Sequence, residues 1–398
     1  MTILHKEYPD TPLYIRPLIK KIINQFSIGN LSYKLPNGYQ GKINGEISGP
    51  NANIELHSWK PIVRLFFNGS IGFAEGYIAG EWDSSNLSNF IELVTINSLH
   101  SENRGNLFSR KYNWLKHFFN KNTKIGSKKN IAFHYDLGNE FYSLWLDNSM
   151  TYSSAIEIKN SRNLEHAQGK KYSRLLENLE PKEGEHILEV GCGWGGFALF
   201  AAKAGFKVTG ITISSQQYKY ANEQISKYGL QEKISIKLCD YRDLSEKFDH
   251  VTSIEMIEAV GEDYWPRYFQ SISENLKQGG RFALQAITVR DEKFEVYRRQ
   301  PDFIQKYIFP GGMLPCQKTI DKNCKEVGMN IISNKGYGKD YASTLAIWQD
   351  SFIKAWPNIK KLGFDSRFKR LWSFYLASCE GSFRGEGIDV RQIIMKKS

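Results

Sequence analysis

The chain has 398 residues, more than one typical hydrophobic core, so two or more domains are expected. Its 41% hydrophobic and 24% charged residues are those of a globular protein, and no apolar run approaches a membrane-spanning length, which argues against a helical channel or carrier. The net charge of +11 favours an anionic partner, either nucleic acid or an acidic membrane surface.

At the N-terminus, "MTILHKEYPDTPLYIRPL" carries acids and prolines and lacks the apolar centre of a signal peptide, so none is expected. Residues 1–105 read as a small α+β domain, because "GYQGKINGEISGPNANIELHSW" alternates short stretches with Gly, Pro and Asn breaks. A connector at 106–130 follows. Arg104 to Asn130 hold eight basic residues and no acid, with Phe108, Tyr112, Trp114, Phe118 and Phe119 among them. Such a segment is either a solvated linker or a basic aromatic stretch suited to a membrane interface. The five cysteines (Cys192, Cys239, Cys316, Cys324, Cys379) are scattered, with neither disulfide nor metal spacing, which points to a reducing cytoplasm and no metal.

The third region, 131–398, changes pattern from about residue 170. "HILEVGC" (186–192) reads as a buried strand and "GGFALFAAKAG" (195–205) as a helix with a Gly stop. "KVTGITIS" (207–214) is a second strand, and "SQQYKYANEQISKYG" an amphipathic helix. "KISIKLCD", "FDHVTSIEM" and "RFALQAI" are further strands, with a helix between the last two. Strand and helix alternate, so the fold class is α/β with a doubly wound parallel sheet.

"EVGCGWGG" places Gly191, Gly193 and Gly195 between a strand and a helix, where backbone approaches a ligand closely. A dinucleotide fold normally ends its second strand in an acid, whereas here the candidates are Thr212, Ser214 and Gln217. A cofactor with a ribose and no pyrophosphate fits better, and S-adenosyl-L-methionine is the leading choice.

The chain resembles the cyclopropane-fatty-acyl-phospholipid synthases and the related mycolic-acid cyclopropane synthases. The ordered blocks "GFAEGYIAGEW", "HYDLGNEFY", "MTYSSA", "ILEVGCGWGGFA", "GITISSQQ", "DYRDL", "KYIFPGGMLP", "DYASTLAIW" and "RFKRLWSFYLASCEGSFRG" carry the resemblance. It implies a Rossmann-like class I methyltransferase sheet. It also implies cofactor contacts from Tyr152 and Ser153, from Glu189, Gly191, Cys192, Gly193, Trp194 and Gly195, and from Thr212, Ser214 and Gln217. Tyr241 would lie against the adenine, with Arg242 beside it.

Members of this family bind bicarbonate as catalytic base, within a cysteine, a glutamate, a histidine, an isoleucine and a tyrosine. Glu258, Ile287 and Tyr341 match that pattern; Ser154 stands for the cysteine, Gln285 for the histidine, and Ala259 for a histidine that commonly follows the glutamate. Glu258 is expected either to hold the ion or to act directly with a raised pKa. Glu255, three residues earlier, is the competing acid; Glu258 is favoured because the family's block aligns there, the plain alternative being that one of the two is only a surface or capping group.

The implied reaction alkylates the double bond of an unsaturated acyl chain of a membrane phospholipid, giving a cyclopropane. A methylene- or methyl-branched chain or a furan precursor is the alternative; a small-molecule methyltransferase and a non-catalytic lipid-transfer protein are more distant ones. Apolar and aromatic walls would hold a cation, with Tyr135, Phe141, Trp145, Tyr264, Trp265, Tyr307 and Phe309 as candidates, although ordinary packing accounts for most single aromatics. The small domain is similar to sterol-carrier-type lipid modules. The protein is thus expected in the cytoplasm, at the inner face of the cell membrane, with a phospholipid partner, no nucleic acid and a homodimer as a compatible assembly.

Overall fold

The computed structural model describes residues 11–100, 123, 126–127 and 137–398. Tyr135 and nearly all of the basic connector lie outside these residues.

The chain divides into two compact units. The described part of the first runs to His100 and adds Arg299–Lys306 and Trp356–Gly387; the second holds the rest. The first unit begins with helix α1 (Arg16–Ile23) and strands β1 (Ile28–Lys34), β2 (Gln40–Asn44) and β3 (Ile47–Leu56). Helix α2 (Lys60–Ile78), the short strand β4 (Trp82–Asp83) and helix α3 (Leu87–His100) complete its N-terminal part. The sheet order is β2-β1-β3-β4, with β1 and β3 parallel and the other pairs antiparallel. Helix α2 breaks at Gly69, whose φ of 61° a residue with a Cβ rarely adopts. Trp82 is fully buried; its indole N–H donates to the Phe73 carbonyl at 2.8 Å, and the two rings stack.

This unit is not contiguous in sequence, unlike the linear division at 105 and 130. The helix Ser366–Arg384 joins it because its apolar stripe, including Trp372, Phe374 and Phe383, needs a partner surface. Arg370 donates to the carbonyls of Tyr77 and Trp82 and to Asp83, and the buried Glu380 accepts from Ser88 at 2.6 Å.

The second unit carries the sheet legible in the sequence. Helix α4 (Leu164–Leu179) precedes β5 (His186–Val190), α5 (Gly196–Lys203), β6 (Lys207–Thr212), α6 (Ser215–Lys227) and β7 (Ile234–Leu238). Then come β8 (Phe248–Ile254), α7 (Trp265–Asn275), β9 (Leu276–Val289), β10 (Met329–Gly336), helix α8 (Gly338–Lys361, whose last turns belong to the first unit) and β11 (Ile388–Lys397). The sheet order is β10-β11-β9-β8-β5-β6-β7. Strands β5 to β9 are parallel neighbours, as expected; β11 inserts antiparallel between β9 and β10. That addition follows from burial, since Val390, Ile393, Ile394 and Met395 are all inside. The chain winds one way from β5 to β6 and the other way through β8, so a switch point opens at the carboxyl end of β5. Among the described residues, no helix is long and apolar enough to cross a membrane.

The helix Ser366–Arg384 approaches α3 through Gly381, where an added Cβ would stand 2.6 Å from the Ile91 Cβ and 2.7 Å from the Ser88 carbonyl oxygen. We expect Gly381→Ala to lower stability by about 1–3 kcal/mol, read as a lower midpoint in thermal denaturation.

Candidate active site

At the switch point a cavity opens above β5, β6 and β8. Glu189, Gly191, Cys192, Gly193 and Trp194 line it from the β5 turn, and Thr212 and Gln217 from the end of β6 and start of α6. Tyr152 and Ser153 close one side, Asp240, Tyr241 and Arg242 another. Gly191 has a φ of +81°, and a Cβ there would meet the Met256 side chain at 2.7 Å. The backbone therefore comes close at the point where β5 ends.

Two residues expected on the cofactor lie off this wall. Ser214 caps α6, its hydroxyl accepting from the Gln217 N–H at 3.3 Å, and Gly195 caps α5 while packing against Ala221. Thr212 donates instead to the Gln217 side chain at 2.9 Å.

Glu189 tests what this cavity can hold. It is 3% exposed, burial pushes its carboxyl well above the usual range, and its Oε2 has no hydrogen-bond partner among the described residues. A cationic ammonium would satisfy that oxygen and restore its charge. Asp240 and Arg242 pair at 2.6 Å behind the Tyr241 ring, a flat surface for a base. The aminoacyl end and the adenine of S-adenosylmethionine fit these two ends.

The segment "MTYSSA" is pinned from two sides. Lys171 is fully buried on α4 and donates to the Ser153 hydroxyl at 2.6 Å, and Gln168, one turn earlier, donates to the Ser153 carbonyl. Burial lowers the Lys171 pKa to about 7, against the opposing charges of Glu255, Asp147 and Glu189. Thr344 on α8 accepts from the Ala155 N–H at 3.2 Å. The Tyr152 ring packs 5.4 Å from Tyr142, 5.7 Å from Trp145 and 5.3 Å from Trp348. Phe141 and Tyr341 extend this aromatic cluster, whereas Trp265 is a core residue donating to the Ile257 carbonyl.

Both glutamates after β8 are half-buried, and the carboxyl of each is hydrogen-bonded to other elements of the second unit. Glu258 Oε1 accepts from the Ile287 N–H at 2.5 Å, and its Oε2 is buried without a hydrogen-bond partner among the described residues. Burial, then the charge of Glu255, raises its pKa to about 8. The other three residues expected around Glu258 meet Glu255 instead. Glu255 Oε1 accepts from the Ser154 N–H and the Gln285 amide, each at 2.8 Å, and Oε2 accepts from the Tyr341 hydroxyl at 2.6 Å. Burial raises the Glu255 pKa, while the Tyr341 hydrogen bond and the Lys171 charge oppose it. Glu255 and Ala259 line the cavity.

The sequence pattern described as mycolic acid cyclopropane synthetase matches residues 122–393. The chain belongs to the mycolic acid cyclopropane synthetase family. The tuberculostearic acid methyltransferase of Mycobacterium tuberculosis is 36% identical over 344 residues, covering 83% of this chain and 79% of that protein. The cyclopropane-fatty-acyl-phospholipid synthase of Escherichia coli is 35% identical over 347 residues, 84% of this chain and 85% of that protein. A solved mycolic acid cyclopropane synthase complexed with SAH and CTAB superposes with a TM-score of 0.64 at 27% identity, covering 68% of this chain and 98% of that one.

This member of the family is therefore an S-adenosylmethionine-dependent methyltransferase. Lys171, Gln168, Thr344 and Asp240 take part in its site and were not expected there. Lys171 and Gln168 lie on the α4 stripe shared with Leu164, Leu175 and Leu179, where apolar side chains are the rule; a lysine on a buried stripe is the available signal.

Folding holds a proton on Glu258 up to about pH 8, while the unfolded chain releases it near 4.5. The stabilisation is full below 4.5 and disappears as pH rises through 8. Lys171 acts oppositely, adding stability from about pH 7 towards 10.5. We expect Glu258→Gln to flatten the stability profile between pH 4.5 and 8, measured by chemical denaturation at several pH values.

Proposed function

We propose that the chain alkylates the double bond of an unsaturated acyl chain of a membrane phospholipid, forming a cyclopropane fatty acid. The observation that carries this reading is the join between two surfaces: Tyr152 lines the cofactor cavity and also belongs to the buried cluster of Tyr142, Trp145 and Trp348. Bound S-adenosylmethionine supplies an electrophilic methyl group. An alkene is a weak nucleophile, and its attack leaves a cation on the acyl chain. Aromatic faces stabilise such a cation through the ring quadrupole without capturing it as water would. The closely packed rings keep water out, and a carboxylate in the cavity wall is available for the proton that must leave.

The names of relatives support a lipid substrate: one is a cyclopropane-fatty-acyl-phospholipid synthase, and another, 32% identical over 286 residues in Komagataella phaffii, a sphingolipid C9-methyltransferase. The first unit supports it independently. Taken by itself, it holds a cavity with a wholly apolar lining, from Ile19, Leu31, Ile43, Leu65 and Phe73 among others. It also leaves Leu13, Tyr14 and Phe67 exposed, which suits a peripheral contact with the inner face of the cell membrane.

A second product, a methylene- or methyl-branched chain, is favoured by one feature. Ser154 and Gln285 depart from the residues usual in cyclopropane synthases, and both serve Glu255.

Expression in a host rich in unsaturated phospholipids tests the reading. Mass spectrometry is expected to show acyl chains heavier by one CH2, and NMR of the isolated chains then separates ring from branch. Absence of such chains while the protein is folded and binds S-adenosylmethionine overturns the lipid reading.

A further inference from the structure

Three hydrogen-bond donors from remote parts of the second unit converge on one carboxylate. The Ser154 N–H comes from the "MTYSSA" segment, the Gln285 amide from β9 and the Tyr341 hydroxyl from α8, at 2.8, 2.8 and 2.6 Å. Each donor is itself held. Gln285 Oε1 accepts from the Gln392 amide at 3.0 Å, which fixes the Gln285 amino group towards Glu255. Ser154 follows Ser153, which Lys171 and Gln168 anchor. The Glu255 N–H donates to the Gln285 carbonyl at 2.8 Å, so backbone and side chain grip the same partner.

This residue also has a φ of +50°, a conformation strained for any side chain with a Cβ. Glu255 is one of the residues lining the cofactor cavity. Donors of this number and kind form an anion site, and the anion in it belongs to the chain.

We propose that Glu255 is the proton acceptor of the reaction, occupying the anion site that bicarbonate would otherwise fill. The proposal rests on the acyl-alkylation reading above. After methylation, the acyl chain carries a cation next to the new methyl group. A C–H bond of that methyl breaks, and its electron pair closes the third C–C bond of the ring. For a methylene product a hydride first shifts from the methyl-bearing carbon to the cationic carbon, and the electron pair then becomes the second bond of the C=CH2 group. The proton passes to a Glu255 oxygen. A cation and a carboxylate become a neutral acyl chain and a carboxylic acid, so charge and atoms balance with no further reagent. Lys171, Tyr341 and Glu258 are the titratable groups acting on Glu255: Lys171 and Tyr341 favour its ionised form, and a protonated Glu258 leaves that form unopposed. Glu258 is then the neutral member of the pair.

The decisive variant is Glu255→Gly, which empties the three donors and relieves the strained φ. Turnover is measured on vesicles of unsaturated phospholipid in buffer stripped of carbon dioxide, then with added bicarbonate or formate. Binding of 13C-bicarbonate to the protein, without any cofactor, is followed by NMR. We expect wild-type turnover to be independent of bicarbonate. Glu255→Gly should lose roughly a hundredfold or more and recover saturably with either anion, and it alone should bind 13C-bicarbonate. Glu255→Gln, which keeps the donors covered, should be equally slow, not rescued, and unchanged in S-adenosylmethionine affinity by calorimetry. Bicarbonate binding to the wild type, a bicarbonate requirement for its turnover, or wild-type rates in either variant overturns the proposal. If the wild type alkylates no lipid, the substrate reading fails, and the binding experiment alone decides the role of the site: binding to Glu255→Gly only supports it, and binding to the wild type overturns it.

Discussion

An ionised group removed from water costs several kcal/mol unless opposite charge or hydrogen bonds meet it. In the second unit Glu189 and Glu255 line the cavity, the buried Lys171 donates to Ser153 in its wall, and Glu258 accepts from the Ile287 N–H on β9. The structure there is organised by that cost. Tyr341, Gln285 and Ser154 converge because Glu255 needs donors; Lys171 is tolerated because three acids raise its pKa against burial. Burial raises the pKa of Glu258, Glu189 and Glu255 alike, and at Glu255 the Tyr341, Gln285 and Ser154 hydrogen bonds and the Lys171 charge oppose that rise.

The same groups make the active-site wall rigid. The "MTYSSA" segment has no regular secondary structure, yet it is tied to α4 through Lys171 and Gln168 and to α8 through Thr344. Tyr152 is wedged among aromatic rings. In the proposed acyl alkylation, a fixed wall of this kind would keep cofactor, alkene and base in register and lower the barrier by prepaid ordering of the reactants.

Local patterns were enough for the centre of the sheet. "HILEV" and "KVTGIT" are short apolar runs with glycine turns, and β5 and β6 form there. Gly191, Gly193 and Tyr241 line the cavity, while Gly195 packs against Ala221. Antiparallel β10 and β11 were not legible, because "MNIISNKG" is mostly polar and its pairing with a strand about sixty residues later leaves no local trace. The helix Ser366–Arg384 joined the first unit for the same reason: its partner α3 is remote in sequence. The carboxylate pair shows the limit most clearly. Glu258 was singled out by its block, but Glu255 is defined by Ser154 and Tyr341, separated from it by 101 and 86 residues. Nor does any short motif reveal a φ of +50° at a glutamate.

The central claim is that carbon is added to an acyl alkene and that the proton then leaves the added methyl. A methyl-deuterated cofactor tests it directly. The enzyme is incubated with S-adenosylmethionine bearing a CD3 group and with unsaturated phospholipid vesicles, and the product acyl chains are weighed by mass spectrometry. The account predicts one added carbon that keeps two of its three deuterons, the third appearing in solvent. Retention of all three, or label on the head group rather than the acyl chain, would contradict it.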